Sequence, residues 1–384
     1  MHENKFCKVS GKCGGCQLSN MDYERQLKFK QSKVQKQIGR YAKVATIIGM
    51  NSPYYYRNKT QSVFFRNKSK ALVSGVYQSS TGKTIQVDNC MLQTDTANEI
   101  LTVLCKLFKS FKIEPYNYKT GRGYLRSVLI REGFATGEVM VAIIGNSPIF
   151  PAKKTFTSAL IKACPNIKSL EIRVNNDTGK LFVGKCQEIL YGNGYIRDFL
   201  CGLEFQISAS SFYQVNPLQT EILYNKAIEF ANLDGTQTVL DAYCGIGTIS
   251  LIASQKAKEV IGFEINSDAI KDAKINARLN NITNAEFYNA DAKNFLQALI
   301  EDNKGIDVAF VDPPRAGCNR EFLKDLCTLS PNKIVYVSCN PETLSRDLYY
   351  LTNNGYNATK AQPVDLFPHT SHIECVVSMT KNGE

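Results

Sequence analysis

The sequence predicts an α/β protein, with a doubly wound sheet in its second half and an α+β region before it. Three observations predict this. Beyond residue 216, short apolar runs rich in Val and Ile alternate with helical patterns, as strand–crossover–strand units of a parallel sheet require. One such run, Ile334-Val335-Tyr336-Val337, breaks at Asn340-Pro341, where Pro cannot extend a strand but suits a helix's first turn with Asn340 as its N-cap. The first half instead holds two strand patterns, at 125–132 and 138–144, joined by a short Gly-containing loop as in a hairpin.

A chain of 384 residues suggests two or three domains, and 43% hydrophobic content is ordinary for a globular protein. No apolar run approaches the roughly 20 residues that span a bilayer. The start, Met1-His2-Glu3-Asn4-Lys5, lacks the apolar core of a signal peptide, which predicts a cytoplasmic protein without a membrane partner. Thirteen cysteines, an odd number without a secretion signal, argue for reduced thiols and against a disulfide framework. Residues 1–200 hold 31 Lys and Arg against 13 Asp and Glu, a net of +18, whereas residues 201–384 net −7. A basic half beside an acidic one predicts a polyanion-binding region at 1–200 and a catalytic domain at 201–384. No obligate protein partner is evident.

In chain order, Cys7, Cys13 and Cys16 come first, with Gly14-Gly15 permitting a tight turn between the last two. A fourth ligand from elsewhere would complete a metal site, and Cys90 in Val87-Asp88-Asn89-Cys90 is the best placed. Three plus one distant thiol fits all-thiolate iron–sulfur ligation, with structural zinc and no metal as the alternatives. Residues 20–38 read as a helix with Tyr23, Leu27, Val34 and Ile38 on one side and solvated Lys, Arg and Gln on the other. Tyr54-Tyr55-Tyr56-Arg57-Asn58-Lys59 and Phe64-Phe65-Arg66-Asn67-Lys68 mix aromatic faces with cations. That mixture suits unpaired RNA bases and phosphates, or equally a half-buried strand. Further strands are expected near 71–77, 168–174 and 180–184, and a loose boundary at 191–202, where Gly192, Gly194 and Gly202 lie.

Asn216-Pro217 then opens a helix, and a strand at 238–241 leads into Tyr243-Cys244-Gly245-Ile246-Gly247-Thr248. Two glycines after a strand resemble part of a dinucleotide fingerprint, but the third would fall at Ser250, which weakens an NAD or FAD reading. The next strand, 259–263, ends at Glu264, a carboxylate placed to accept from both ribose hydroxyls of an adenosine; Ser267 is expected to cap the following helix. Strands near 286–289, 307–311, 334–338 and 374–379 complete the sheet, with Asp291 after the first of these and Asp312-Pro313-Pro314-Arg315 after the second. Acids closing successive strands are hard to attribute to chance. Cys339, between strand and helix, has a thiolate favoured by the helix N-terminus, which makes it a candidate nucleophile.

Taken together, Cys7/Cys13/Cys16/Cys90, Ser211-Phe212-Tyr213-Gln214-Val215-Asn216, the Asp241–Thr248 stretch, Asp312-Pro-Pro-Arg315, Ser338-Cys339-Asn340-Pro341 and Phe367-Pro-His369-Thr-Ser-His372-Ile-Glu374 make nearly the whole chain similar to the RNA (uracil-5-)-methyltransferase family that carries an iron–sulfur cluster. The resemblance implies a Rossmann-like methyltransferase sheet after an N-terminal RNA-binding, iron–sulfur region. It implies S-adenosyl-L-methionine held by Gln214, Tyr243, Thr248, Glu264, Asp291 and Asp312, with Cys339 as nucleophile and Glu374 as base. It also implies a 4Fe-4S cluster on Cys7, Cys13, Cys16 and Cys90. Many members begin with a small barrel domain, whereas this sequence begins at the cysteines; members without the barrel include a ribosomal RNA enzyme and some transfer RNA enzymes. The pattern resembles the 23S ribosomal RNA enzymes, and ribosomal RNA is favoured over transfer RNA as partner. His369 and His372 are expected to pack and hydrogen-bond their loop.

Overall fold

The computed structural model describes residues 7–78, 80–175 and 183–383. In chain order the elements are α1 (Ser10–Cys13), α2 (Tyr23–Ile38), β1 (Lys43–Val44), β2 (Lys59–Arg66), β3 (Leu72–Tyr77), β4 (Thr84–Gln86), α3 (Asp95–Ser110), β5 (Leu125–Glu132), β6 (Val139–Gly145), α4 (Lys153–Ala163) and β7 (Ile167–Val174). There follow β8 (Lys185–Tyr191), β9 (Tyr195–Leu200), β10 (Leu203–Ser208), α5 (Pro217–Ala231), β11 (Thr238–Ala242), α6 (Thr248–Ser254), β12 (Glu259–Glu264), α7 (Ser267–Leu279) and β13 (Ala285–Asn289). The last are α8 (Ala292–Glu301), β14 (Val308–Val311), α9 (Arg320–Leu329), β15 (Lys333–Ser338), α10 (Pro341–Thr352), β16 (Tyr356–Val364) and β17 (Glu374–Lys381). Among the described residues no helix is long and apolar enough to cross a membrane.

The second half forms the expected doubly wound sheet, in the order β1-β16-β17-β15-β14-β11-β12-β13. Strands β11 to β15 pair in parallel. Chain order reverses between β11 and β14, and at such a switch point ligands bind beyond the carboxyl ends of the strands. Helices cover both faces, so every residue of β14 is buried. Strand β17 runs antiparallel to β15 and β16. Strand β16 was not expected: Tyr356-Asn-Ala-Thr-Lys-Ala-Gln-Pro-Val is largely polar, and Pro363 demotes such a run.

The first half builds a second sheet, ordered β4-β3-β2-β5-β6-β7-β8. One face packs under α3 and α4 through Phe108, Phe156 and Leu160. From the other face Leu129, Met140 and Ile144 enter the same core as Phe205, Leu223 and Val335, so one apolar cluster joins the two sheets. The residues expected to be a loose boundary, 191–202, instead contain β9, which pairs antiparallel with β10. The three glycines sit at positive φ in the flanking turns, and the alternate burial of Leu203, Phe205 and Ile207 was the overlooked strand signal. The strand expected at 180–184 falls largely outside the described residues; the observed β8 starts at Lys185. At α7 the cap is Asn266, whose Oδ1 accepts from the Asp268 and Ala269 N–H groups, with Ser267 one position inside.

The N-terminal segment does not pack in the first half's sheet. Helix α2 lies on α10 and β16, placing Val34 and Ile38 among Leu344, Leu348 and Leu351. Strand β1 pairs in parallel with β16, Lys43 opposite Lys360.

Candidate active site

Sheet order and register line up the predicted residues. Reading across from β13 through β12, β11, β14 and β15 to β17, the strand ends present Asp291, Glu264, Asp241, Asp312, Cys339 and Glu374 in turn. As predicted, Asn340 caps α10: its Oδ1 accepts from the Glu342 N–H at 3.1 Å, and Pro341 occupies the first turn. The antiparallel register of β15 and β17 ends with Ser338 opposite Cys375, which sets Cys339 beside Glu374.

The electrostatics of this row are strongly acidic. Burial first, then the Glu374 and Asp312 carboxylates, push the Cys339 thiol up to about 11, with Arg315 pulling the other way. Burial and then Asp312 raise Glu374 well above the carboxylate range. Asp312, raised by burial and then by Asp241, reaches about 7. Glu374 is therefore a carboxyl group with high proton affinity next to the candidate nucleophile. Arg315 is held by the loop before Glu374, its guanidinium donating to His372 Nδ1 at 3.1 Å.

Around the glycine turn, Ser250, at the position of the missing third glycine, donates its hydroxyl to Asp241 Oδ2. The other oxygen, Asp241 Oδ1, is buried without a partner, and burial raises this carboxyl to about 7. Gly245 has a φ of 55° and open space where a Cβ would stand, so the turn leaves a cradle above Asp241. Tyr243 also has positive φ, 64°, and its ring packs on Phe263 and Phe322. Thr248 begins α6 and is buried. Glu264 accepts from the Asn266 N–H at 2.9 Å and Asp291 caps α8 through the Lys293 N–H at 3.0 Å, so both also do the capping work common for loop acids. Gln214 is buried, its carbonyl held by Asn58 Nδ2 at 3.1 Å and its side chain bonded to Tyr224. Fully buried on α5, Tyr224 faces Asp312, Glu374 and Asp241, but an aromatic on an apolar helix reads as core and gave no sequence signal.

The four N-terminal cysteines gather at one place. Cys7, Cys16 and Cys90 line a cavity of about 360 Å³ together with Tyr54 and His369. Cys13 is near enough to be felt by both Cys16 and Cys90. Burial first, then the other three thiols, push Cys16 up to about 12. Burial pushes the Cys90 thiol up, an effect that the N–H groups of Leu92 and Gln93 on its sulfur only partly offset. Among the described residues, no three His, Cys, Asp or Glu side chains are arranged to hold one metal ion.

The aromatic and cationic stretches are divided by the fold. Tyr56 is fully buried, its hydroxyl donating to the Pro368 carbonyl at 2.9 Å. Phe64 packs edge-on against Phe108 in the core. Neither ring is free to stack on a base: β2 turns Phe64 inward, and Tyr56 is held before that strand by its bond to Pro368. Arg66 pairs with Glu114 at the far end of β2, roughly 23 Å from Lys59 at the usual rise per residue. Arg57 is the cation of this group nearest the site, felt by both Cys16 and His372.

A family model described as tRNA (Uracil-5-)-methyltransferase matches residues 22–382. An RNA methyltransferase of Halalkalibacterium halodurans, named as uncharacterised, is 44% identical over 375 residues, 96% of this chain and 82% of that protein. One from Clostridium acetobutylicum, named likewise, is 42% identical over 378 residues, 97% of this chain and 82% of its own length. Among solved structures, the Pyrococcus abyssi tRNA (uracil-54, C5)-methyltransferase in complex with S-adenosyl-L-homocysteine superposes with a TM-score of 0.81 at 30% identity, over 98% of this chain and 88% of that one. With a family model covering almost its whole length, this RNA methyltransferase belongs to the tRNA (uracil-5-)-methyltransferase family.

Proposed function

We propose that the protein, working in the cytoplasm, methylates carbon 5 of a uridine in RNA with S-adenosyl-L-methionine as donor, through a covalent bond between Cys339 and the uracil. The observation that carries this reading is Cys339 set beside Glu374 at the end of a row of acids. Carbon 5 is too weak a nucleophile to take a methyl group unaided. A thiolate added at carbon 6 places electron density on carbon 5, and after transfer a base must remove the carbon 5 proton before the thiolate can leave. Glu374, with its raised proton affinity, suits that last step. The uracil must leave its stack to reach the thiol.

The residues present fit the donor. Its bound sulfonium supplies the methyl group and a positive charge. The unpartnered Asp241 Oδ1 and the cradle at Gly245 suit a polar ligand, and Asp312 with Asp241 offers the concentrated negative charge that a cation relieves. Gln214, Tyr243, Thr248, Glu264 and Asp291 complete the proposed pocket. Neutralising Asp312 in this way lowers the proton affinity of both Cys339 and Glu374, since both feel its charge.

The motif pattern favours 23S ribosomal RNA, while the Pyrococcus enzyme acts on tRNA, so transfer RNA is the second reading. Purified protein given labelled methyl donor and RNA from a strain lacking the gene is expected to place label in 5-methyluridine of the large ribosomal RNA. Label confined to transfer RNA would move the target. Label in an amino-methylated base would overturn the chemistry.

A 4Fe-4S cluster is the proposed occupant of the cysteine cavity. Cys7, Cys16 and Cys90 line the cavity and Cys13 lies near enough to be felt by two of them, which supports an all-thiolate ligand set. When bound, such a cluster cross-links residues 7–16 to Cys90, which Asn98 Oδ1 anchors through the Cys90 N–H at 3.1 Å. Anaerobically purified protein is expected to be brown with about four irons per chain. Cys90→Ser is expected to lose iron and solubility together, because a site joining distant segments contributes to folding. Colourless protein holding one zinc would contradict the cluster.

A further inference from the structure

We propose that His369 donates a hydrogen bond from Nε2 to a sulfur of the cluster held by Cys7, Cys13, Cys16 and Cys90, joining that cluster to the segment that leads into Glu374. The proposal rests on the cluster reading above and adds a residue outside the ligand set.

The tautomer follows from the neighbours. Gln26 Oε1 accepts from the His369 backbone N–H at 2.9 Å, which fixes the orientation of the amide. Its Nε2 therefore donates, to the Met21 carbonyl at 2.9 Å and to His369 Nδ1 at 3.2 Å. With Nδ1 accepting, the ring proton of the neutral imidazole sits on Nε2. Burial disfavours the charged ring, so the neutral form is the relevant one.

That Nε2 is buried and has no hydrogen-bond partner. The Pro53 carbonyl acts on the ring as a hydrogen-bond acceptor and raises its proton affinity, but it lies outside the distance and angle that would satisfy Nε2. His369 is only 6% exposed and lines the same cavity as Cys7, Cys16 and Cys90. A buried donor left unsatisfied is costly, so an acceptor is expected in that cavity. Thiolate and sulfide sulfurs are the acceptors that the cysteines would bring.

The ring is also held with little freedom. Tyr54 stacks on it with centroids 4.7 Å apart, and the His369 carbonyl accepts from the Leu18 N–H at 3.0 Å. Its φ of 67° is costly for a residue with a Cβ, a conformation kept only where the surroundings demand it. Hydrogen bonds to cluster sulfurs stabilise the more negative, reduced state and raise its potential.

The test is made on anaerobic holoenzyme. His369→Phe keeps a ring against Tyr54 but removes the donor. At equal iron content its cluster is expected to have a lower midpoint potential, by a tenfold change in the reduction equilibrium or about 59 mV for one electron. His369→Asn keeps a donor and tolerates positive φ, so it should lie between. An unchanged potential in His369→Phe would overturn the proposal. Should that variant fail to fold, wild-type protein labelled with ¹⁵N-histidine decides: pulsed electron paramagnetic resonance of the reduced cluster is expected to show one ¹⁵N coupling that disappears in His369→Asn. No coupling would sink the proposal while leaving the cluster intact. Iron-free wild-type protein would remove the cluster reading and this inference with it.

Discussion

Glu374→Gln is expected to accumulate enzyme bound covalently to methylated RNA, whereas Cys339→Ala forms neither adduct nor product. The two residues sit side by side at the β15–β17 register, and in the proposed mechanism they act at different times. Cys339 is required before methyl transfer, and without it carbon 5 cannot attack. Glu374 is required after transfer; its amide analogue fills the same buried space but cannot take the carbon 5 proton. Loss of a positioned base costs about 10²–10⁴-fold in turnover, and here that loss falls on release. A denaturing gel with labelled methyl donor should show a slow, labelled protein band for Glu374→Gln. If that variant is slow at every step and traps nothing, Glu374 only orients its loop; free methylated RNA at the normal rate would remove it from the mechanism.

Asp365→Asn is expected to cost about 3–5 kcal/mol, the largest stability loss predicted for one polar substitution in this chain. Lys30 Nζ lies 2.5 Å from Asp365 Oδ1 with both side chains at 0% exposure. The same ammonium reaches the Phe367 carbonyl at 2.9 Å, and Tyr23 donates to Asp365 Oδ2 at 2.9 Å. Burial lowers the proton affinity of Lys30 and Asp365 restores it. Removing the carboxylate leaves a buried cation facing a neutral amide. A melt followed by circular dichroism should fall by roughly 10 °C, at a few degrees per kcal/mol for a protein of this size. The double change Lys30→Met with Asp365→Leu should recover most of it, since apolar replacement of a buried pair is often neutral. A single-variant loss under 1 kcal/mol would show that the pair is screened by water.

What could be read from the residues was local. Pro341 and Asn340 marked the end of a strand, and that alone placed Cys339 at the sheet's binding edge. Glu264 and Asp312 close apolar runs and Asp291 follows a mixed one, so their shared edge was visible once the strands were counted. Pairing between distant segments was not visible. That Glu374 meets Cys339 depends on an antiparallel register, which no run of residues announces. Lys30 was read as solvated because a lysine on an amphipathic helix usually is. In the structure Gln26, Lys30, Val34 and Ile38 form one buried stripe, polar at one end because that end faces Asp365 and His369. The aromatic stretches stayed open between two readings for a related reason: alternation in β2 turns Phe64 inward, and composition cannot show which way a side chain points.

The β1–β16 pairing, with α2 laid across α10, makes the parallel sheet depend on segments far apart in the chain. Helix α2 leaves the ribosome well before its partners at 341–364. Contacts spanning more than 300 residues raise the contact order, and the loop closure they require slows folding. During that interval Val34 and Ile38 have no partner, and Leu18 waits for the His369 carbonyl. The first-half sheet, whose strands are near neighbours in sequence, can form meanwhile. Closure of the cysteine cavity by His369 waits for the same late contacts, so a nascent chain leaves Cys7, Cys16 and Cys90 open to oxidation before Glu374 meets Cys339.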